Sequence, residues 1–166
     1  MIVIGYQGIG KSTLARKSKG FIDLESSSFY VNGKRPTDWH YYYNRIAENL
    51  SRQGYVVFVS SHMPVRDYFK TSDERAVIIC PSKELKDEWI RRLQDRYHSN
   101  MTEKNLRALR NAVERFNENI DELIHDGIPS ILLRDMHYSL ETVIRSAIIK
   151  NKNIDFHDRQ IWSDME

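Results

Sequence analysis

Short apolar runs alternate along the chain with longer segments in which apolar residues recur every three or four positions. The runs are bounded by polar residues or glycine, which predicts buried strands at residues 1–4, 21–24, 55–59, 76–80 and 131–133. The segments between them predict helices at residues 11–19, 39–53, 64–70, 83–96, 103–126 and 140–149. Strands that alternate with helices indicate an α/β fold with a parallel sheet and helices on both faces.

The same periodicity assigns buried faces to the two amphipathic helices that flank the middle of the chain. The second helix is expected to bury Trp39, Tyr43, Ile46 and Leu50. Tyr41 and Tyr42 are candidates either for the core or for stacking on a base or sugar. The long fifth helix is expected to bury a stripe made of Leu106, Leu109, Val113, Phe116, Ile120 and Leu123. A polar break at 97–102 separates the fourth and fifth helices, so residues 91–110 are predicted to form a short helical lid.

Residues 5–12 match the pattern G-x-x-x-x-G-K-[ST] at every fixed position. The motif follows a predicted strand and opens a predicted helix, which is the context that a phosphate-binding loop requires. Glycines let backbone N–H groups surround phosphate, and we expect Gly8, Ile9, Gly10 and Thr13 to contribute backbone contacts. Lys11 is expected to reach the β- and γ-phosphates, and the Ser12 hydroxyl to bind Mg²⁺. The sequence therefore predicts a Mg·ATP site.

Two carboxylates, Asp23 and Glu25, follow the second strand. The C-terminal ends of parallel strands share one edge of the sheet, so both acids are expected beside the phosphate loop. Asp23 is predicted to position Mg²⁺ with Ser12, and either acid to orient an acceptor. The alternative is a loop acid and a helix-capping acid without chemistry.

The third strand ends in Ser60 and Ser61, where many phosphate-loop proteins place an aspartate. We interpret Ser61 as an acceptor contact and Arg66, one helical turn further, as a clamp for an anionic acceptor. The alternative for Arg66 is an ordinary surface ion pair. His62 is interpreted as a hydrogen-bonding loop residue, and the histidine spacings do not indicate a zinc site.

Arg92 and Arg96 are four residues apart and therefore share a helical face. On a mobile lid they would bring guanidinium groups to a transferring phosphoryl group, so both are predicted to be catalytic. Arg107 and Arg110 begin the next helix and are weaker candidates for the same role. The alternative for all four is a solvated helix face.

Length, net charge and cysteine content limit the number of domains, the partners and the cellular location that we expect. The chain of 166 residues suits one domain, predicted at 1–150, followed by a polar tail at 151–166. A net charge of +2 makes a nucleic-acid partner unlikely, and no apolar run is long enough to cross a membrane. A single cysteine, Cys80, suits a reducing compartment, and we expect a cytoplasmic protein whose oligomeric state the sequence leaves open.

With these elements in place the chain resembles the nucleoside-monophosphate-kinase-like branch of phosphate-loop proteins, which includes adenylate, shikimate and gluconate kinases. Residues 21–25 look like the D-x-D segment of shikimate kinases, and 60–67 are similar to a gluconate-kinase stretch that ends in Arg-Asp. The general pattern is closest to small phage-type nucleotide kinases. The resemblance implies a three-layer fold with a five-stranded sheet in the order 2-3-1-4-5. The D-G-F-P-R signature of adenylate kinases is missing at residues 60–64.

These features predict an ATP-dependent phosphotransferase that acts on a nucleoside monophosphate or a nucleoside. One alternative is a sugar-acid-type kinase in which Asp23 serves a hydroxyl acceptor. Another is a nucleotide-gated binding protein, or switch, that hydrolyses ATP slowly. End-phosphorylation of nucleic acid is disfavoured by the near-neutral charge.

Overall fold

A computed structural model of the chain describes residues 1–154. Five strands lie in this part, namely β1 Ile2–Gly5, β2 Phe21–Asp23, β3 Val56–Val59, β4 Ala76–Pro81 and β5 Ser130–Leu133. Its α-helices are α1 Lys11–Lys17, α2 Trp39–Arg52, α3 Met63–Thr71, α4 Lys86–Ser99, α5 Glu103–Ile124 and α6 Leu140–Ile154. Short 3-10 turns occupy Ser26–Phe29 and Lys83–Leu85.

All strand pairings are parallel, and the sheet has the order β2-β3-β1-β4-β5. Helices on both faces make this an α/β fold of three layers, as predicted. β1 lies at the centre and is completely buried, which explains why its sequence is continuously apolar. Because every strand runs the same way, the segments that follow β1, β2 and β3 emerge at one edge of the sheet.

The chain divides into two compact units, Met1–Met136 and a second that begins at His137 and contains α6. The sheet and all of the candidate site residues belong to the first unit. The predicted tail at 151–166 overlaps the end of α6, and residues 155–166 lie outside the described part of the chain. No helix in that described part is both long and apolar enough to cross a membrane.

The predicted buried face of α2 was partly wrong. Ile46 is exposed and Trp39 only half-buried, whereas Asn44 and Glu48 are buried beside Tyr43. Glu48 is tolerated inside because its carboxylate accepts hydrogen bonds from the Tyr68 hydroxyl at 3.1 Å and the Ser72 hydroxyl at 3.0 Å. A pattern of apolar residues alone does not reveal such polar partners.

The long helix α5 also departs from its predicted stripe, because Leu106 and Leu109 are only half-buried. Val113 is half exposed, while its neighbour Ala112 is buried. Arg115 has non-helical backbone angles (φ −135°, ψ 22°), which interrupt the regular rotation of the helix. Phe116, Ile120 and Leu123 beyond the kink are buried as predicted.

Candidate active site

The phosphate loop runs from the end of β1 into α1, and two of its glycines have positive φ angles. Gly8 and Gly10 have φ angles of +88° and +102°, which side chains larger than glycine rarely adopt. A Cβ atom on Gly8 would lie 3.1 Å from both Leu93 Cδ2 and Trp89 Nε1 of α4. Gly8 is therefore required both for its conformation and for the close approach of α4.

Lys11 begins α1 and folds back over the loop. Its ammonium group donates to the backbone carbonyls of Gly5 at 2.9 Å and Tyr6 at 3.3 Å. Burial lowers the pKa of Lys11 to about 8 by penalising its charged form, and the negative charges of Asp23 and Glu25 oppose that shift. The lysine is thus a poorly compensated cation, which is the state in which a nearby polyanion is bound most favourably.

Ser12 and Asp23 meet at the edge of the sheet. The Ser12 hydroxyl donates to the Asp23 carboxylate, which connects the start of α1 to the end of β2. These two oxygen-bearing groups are of the type that Mg²⁺ prefers. Among residues 1–154 no group of three or more His, Cys, Asp or Glu side chains converges on a metal-sized site.

The helical hairpin of α4 and α5, joined at residues 100–102, covers the loop. Trp89 of α4 donates its indole N–H to the Gln7 carbonyl at 2.9 Å, and the Gln7 side chain donates to the Ala108 carbonyl of α5 at 2.8 Å. Arg92 stacks on the Trp89 ring at 4.6 Å and donates to the Gly8 carbonyl at 3.4 Å. Arg96 follows one turn later on α4 and is half-buried, and its positive charge contributes to the lowered pKa of Lys11. Arg92 is therefore in contact with the loop, and Arg96 lies one helical turn further along α4.

Glu25 is engaged by a lysine that the sequence analysis did not single out. Lys104, in the first turn of α5, donates to both carboxylate oxygens of Glu25 at 2.5 and 2.6 Å. Burial acts to raise the pKa of Glu25, but the hydrogen bond and charge of Lys104 outweigh it and hold that pKa below its usual range. Ser27 donates to the same carboxylate at 3.1 Å.

Tyr43 of α2 joins the ends of β2 and β3. Its hydroxyl donates to the Leu24 carbonyl at 2.7 Å and accepts from the Ser60 backbone N–H at 2.8 Å. The side chain is completely buried, and burial raises the pKa of its hydroxyl. Tyr43 therefore holds the acidic segment 23–25 beside the serine segment 60–61.

A group of side chains that we call the aromatic–arginine cluster, Tyr30, Arg35, Trp39 and His62, lies next to these strand ends. The guanidinium of Arg35 lies over two rings, 4.7 Å from the centroid of Tyr30 and 4.3 Å from that of Trp39. Its edges contact the Ser26 hydroxyl at 3.0 Å and His62 Nε2 at 3.4 Å, and its buried Nε has no hydrogen-bond partner.

Burial and the charges of Arg35 and Arg66 lower the pKa of His62, so its imidazole is neutral at neutral pH. Both polar neighbours of the Arg35 guanidinium, the Ser26 hydroxyl and His62, are therefore uncharged. Among residues 1–154 no carboxylate lies within ion-pair distance of Arg35, and a cation in this state suits an anionic ligand.

Arg66 is placed differently from the predicted acceptor clamp. It is buried, and its guanidinium donates to Asp126 Oδ1 at 2.9 Å and to the Ser61 carbonyl at 2.7 Å. A buried arginine with a carboxylate partner has most of its donors committed. These contacts favour a role in holding the 60–62 segment in place, and Ser61 itself remains a half-buried residue of that segment.

Arg35, Tyr30 and Lys104 are the site residues that the sequence analysis missed. Arg35 and Tyr30 fall between the predicted second strand and second helix, and Lys104 falls at the beginning of the predicted fifth helix. No periodic signal indicated Arg35, because it precedes α2 in an irregular segment and contacts Trp39 only through the path of that segment. Lys104 gave no signal, because its partner Glu25 is distant in sequence.

A scan against models of known protein families gives no match for this chain, and a search of curated proteins finds no significant relative. The assignment below therefore depends on the site itself.

Proposed function

We propose that this chain is a Mg·ATP-dependent phosphotransferase of the nucleoside-monophosphate-kinase-like type that moves the γ-phosphoryl group of ATP to a small acceptor. A nucleoside monophosphate is the acceptor that the site supports best. One observation carries the proposal, namely that the phosphate loop with Lys11 shares a sheet edge with Asp23 and Glu25.

The residues present fit a triphosphate with its magnesium ion. The loop has the left-handed glycines and close packing that surround phosphate, and Lys11 lies over it with a lowered pKa. Ser12 and Asp23 are in contact beside it, so Ser12 would hold the metal directly and Asp23 through Ser12 or water. When bound, Mg²⁺ would neutralise part of the phosphate charge and align the oxygens.

The chain's own residues would then supply positioning and charge. In the transfer, a bond forms between an acceptor oxygen and the γ-phosphorus while the bond to the β,γ-bridging oxygen breaks, and ADP leaves. In this proposal Lys11, Arg92 and Arg96 would stabilise the charge on that phosphoryl group, and the backbone N–H groups of Gly8 through Thr13 would bind the phosphates. The α4–α5 hairpin would exclude water, which keeps the phosphoryl group from hydrolysis.

The acceptor side supports an anionic ligand. Arg35 is held between two rings with uncharged polar neighbours, so a phosphate would be its first full counter-ion. A phosphate acceptor needs no base, which agrees with Asp23 being bonded to Ser12. A nucleoside or a sugar acid, with Asp23 accepting the hydroxyl proton, is the alternative acceptor.

A nucleotide-gated binding protein with slow ATP hydrolysis is a second candidate. It is favoured by the direct hydrogen bond from Gln7 in the loop to α5, which would transmit nucleotide binding to the hairpin.

A cytoplasmic setting is part of the proposal, because a chain with the single cysteine Cys80 forms no internal disulfide and suits a reducing compartment.

The experiment is ADP release from Mg·ATP with a panel of ribo- and deoxynucleoside monophosphates, nucleosides and sugar acids. Lys11→Ala is the inactive variant and Lys17→Ala, an exposed lysine at the other end of α1, is the matched control. We expect one monophosphate to raise ADP release, with Lys17→Ala active and Lys11→Ala inactive. A response to nucleosides alone would favour the hydroxyl acceptor, and a flat panel with ATP still bound would favour the switch.

A further inference from the structure

The Lys104–Glu25 ion pair connects the α4–α5 hairpin to the end of β2. Both carboxylate oxygens of Glu25 accept from one ammonium group, so the pair has good geometry for a lysine. It lies beside the phosphate loop, because Glu25 closely follows Asp23, which accepts from Ser12, and because α5 accepts from Gln7 of the loop one turn after Lys104. Two further hydrogen bonds join α5 to segments at this edge of the sheet. Gln7 donates to the Ala108 carbonyl, and Arg107 donates to the Tyr30 hydroxyl at 3.4 Å.

This position makes Lys104 a cation with two possible partners. In the free protein its counter-ion is Glu25, one charge on a partly exposed side chain. A triphosphate in the loop would bring several negative charges into the same region, where they attract the lysine and repel Glu25. An exposed ion pair of this kind is weak, so a polyanion can displace one of its members.

We propose that Lys104 exchanges Glu25 for the nucleotide's phosphates when a nucleoside triphosphate binds. The ion pair is then a latch that nucleotide opens, and Glu25 becomes available to the acceptor side only after the nucleotide is in place. Lys104 is a specificity-determining residue in this scheme, because Glu25 can contact the acceptor only after a bound triphosphate has drawn Lys104 away. The inference rests on the proposed function, since it requires the loop to bind a triphosphate.

The test is a double-mutant cycle on the affinity for Mg·AMP-PNP, a triphosphate that resists hydrolysis, measured by calorimetry. Glu25→Gln should tighten binding in the wild-type background for two reasons, release of Lys104 and loss of the repulsion by Glu25. In the Lys104→Met background only the second reason remains. We therefore expect Glu25→Gln to tighten binding about two- to fivefold more when Lys104 is present, the size of one partly exposed ion pair.

A second pair serves as the matched control. Lys83 and Asp121 are 2.5 Å apart, with side-chain exposures of 42% and 45% that resemble the 46% and 37% of Lys104 and Glu25. The Lys83→Met and Asp121→Asn cycle should show no coupling to nucleotide affinity. Thermal melts establish that the variants fold, and Lys104→Gln is a second neutral variant that must reproduce the coupling.

The outcomes separate the two claims. Absence of Mg·AMP-PNP binding by the wild-type protein would overturn the proposed function itself. Binding with equal effects of Glu25→Gln in both backgrounds would overturn the latch alone. Weaker binding by Glu25→Gln in the wild-type background would also overturn it, because Glu25 would then be supporting the nucleotide rather than withholding Lys104.

Discussion

The phosphate loop and the aromatic–arginine cluster lie at one edge of the sheet but are built in different ways. The loop is made of backbone, with its shape fixed by Gly8 and Gly10 and its cover supplied by α4 and α5. The cluster is made of side chains, with Arg35 stacked on Tyr30 and Trp39. In a site formed by backbone groups, one added atom that displaces the chain changes the whole binding geometry. In a site formed by side chains, a substitution can remove one contact and leave the others. The two regions should therefore fail in different ways.

The largest effect is expected from one methyl group on the loop. In Gly8→Ala the new Cβ would be 3.1 Å from Leu93 Cδ2 and Trp89 Nε1, at a φ of +88°. We expect the affinity for Mg·ATP to fall about 30-fold, because one extra methyl group in a closely packed contact costs about 2 kcal/mol. Gly20→Ala is the matched control, since it has a φ of +89° but nothing within 4 Å. It should bind nucleotide normally, and equal losses in both variants would mean that loop packing does not matter.

A smaller and more selective effect is expected at the cluster. Arg35→Lys keeps the charge but removes the flat guanidinium from between its two rings. Loss of about 1–2 kcal/mol of cation–π contact should raise the acceptor KM roughly tenfold. The affinity for Mg·ATP should stay within about twofold of the wild type, as it should in the exposed neighbour variant Lys34→Ala. An equal loss of ATP affinity would show that the two regions are not separable.

Tyr43→Phe tests the connection between the acidic and serine segments. It leaves the Leu24 carbonyl and the Ser60 N–H without their buried partner. The free energy of unfolding should fall by about 1–3 kcal/mol, measured by urea denaturation. Tyr42→Phe, on a side chain that is 55% exposed, is the control and should change it little. Wild-type stability of Tyr43→Phe would mean that this hydroxyl does not hold the strand ends together.

The smallest effect is a proton taken up at Lys11. With a pKa of about 8 in the free protein, this lysine is half uncharged at pH 8. A bound triphosphate favours the ammonium form and raises the pKa, so binding should take up about half a proton at that pH. Affinity should accordingly fall as the pH rises through 8. Calorimetry in two buffers with different ionisation enthalpies measures the uptake.

Lys11→Arg is the control for that experiment, because arginine stays protonated. It should bind without taking up the proton. Uptake that persists in Lys11→Arg would assign the proton to another group.

The sequence was sufficient for the order of strands and helices, because each buried strand of a parallel sheet is a continuous apolar run and a glycine follows α1, α2 and α5. It was also sufficient to bring Ser12 to Asp23, since both follow from a motif and a strand end. Ile46 and Val113 were predicted to be buried but are exposed. In α2 the polar residues Asn44 and Glu48 occupy the buried face instead, and in α5 a kink interrupts the regular rotation of the helix.

Contacts between distant segments were beyond the sequence. Lys104 meets Glu25, and Arg66 meets Asp126, only because the fold brings remote elements together. Arg35 contacts the rings of Tyr30 and Trp39, which precede and follow it, and it lies in a segment whose sequence has no regular pattern. Such side-chain sites are decided by packing, which a single sequence does not display.

Following the phosphorus products of Mg·ATP by ³¹P NMR distinguishes transfer of the γ-phosphoryl group to an acceptor from transfer to water. With the acceptor that raises ADP release, we expect a phosphorylated acceptor in step with ADP and little inorganic phosphate. Lys11→Ala should form neither product. Inorganic phosphate as the sole product, with every acceptor in the panel, would contradict phosphotransfer and leave a nucleotide-hydrolysing switch.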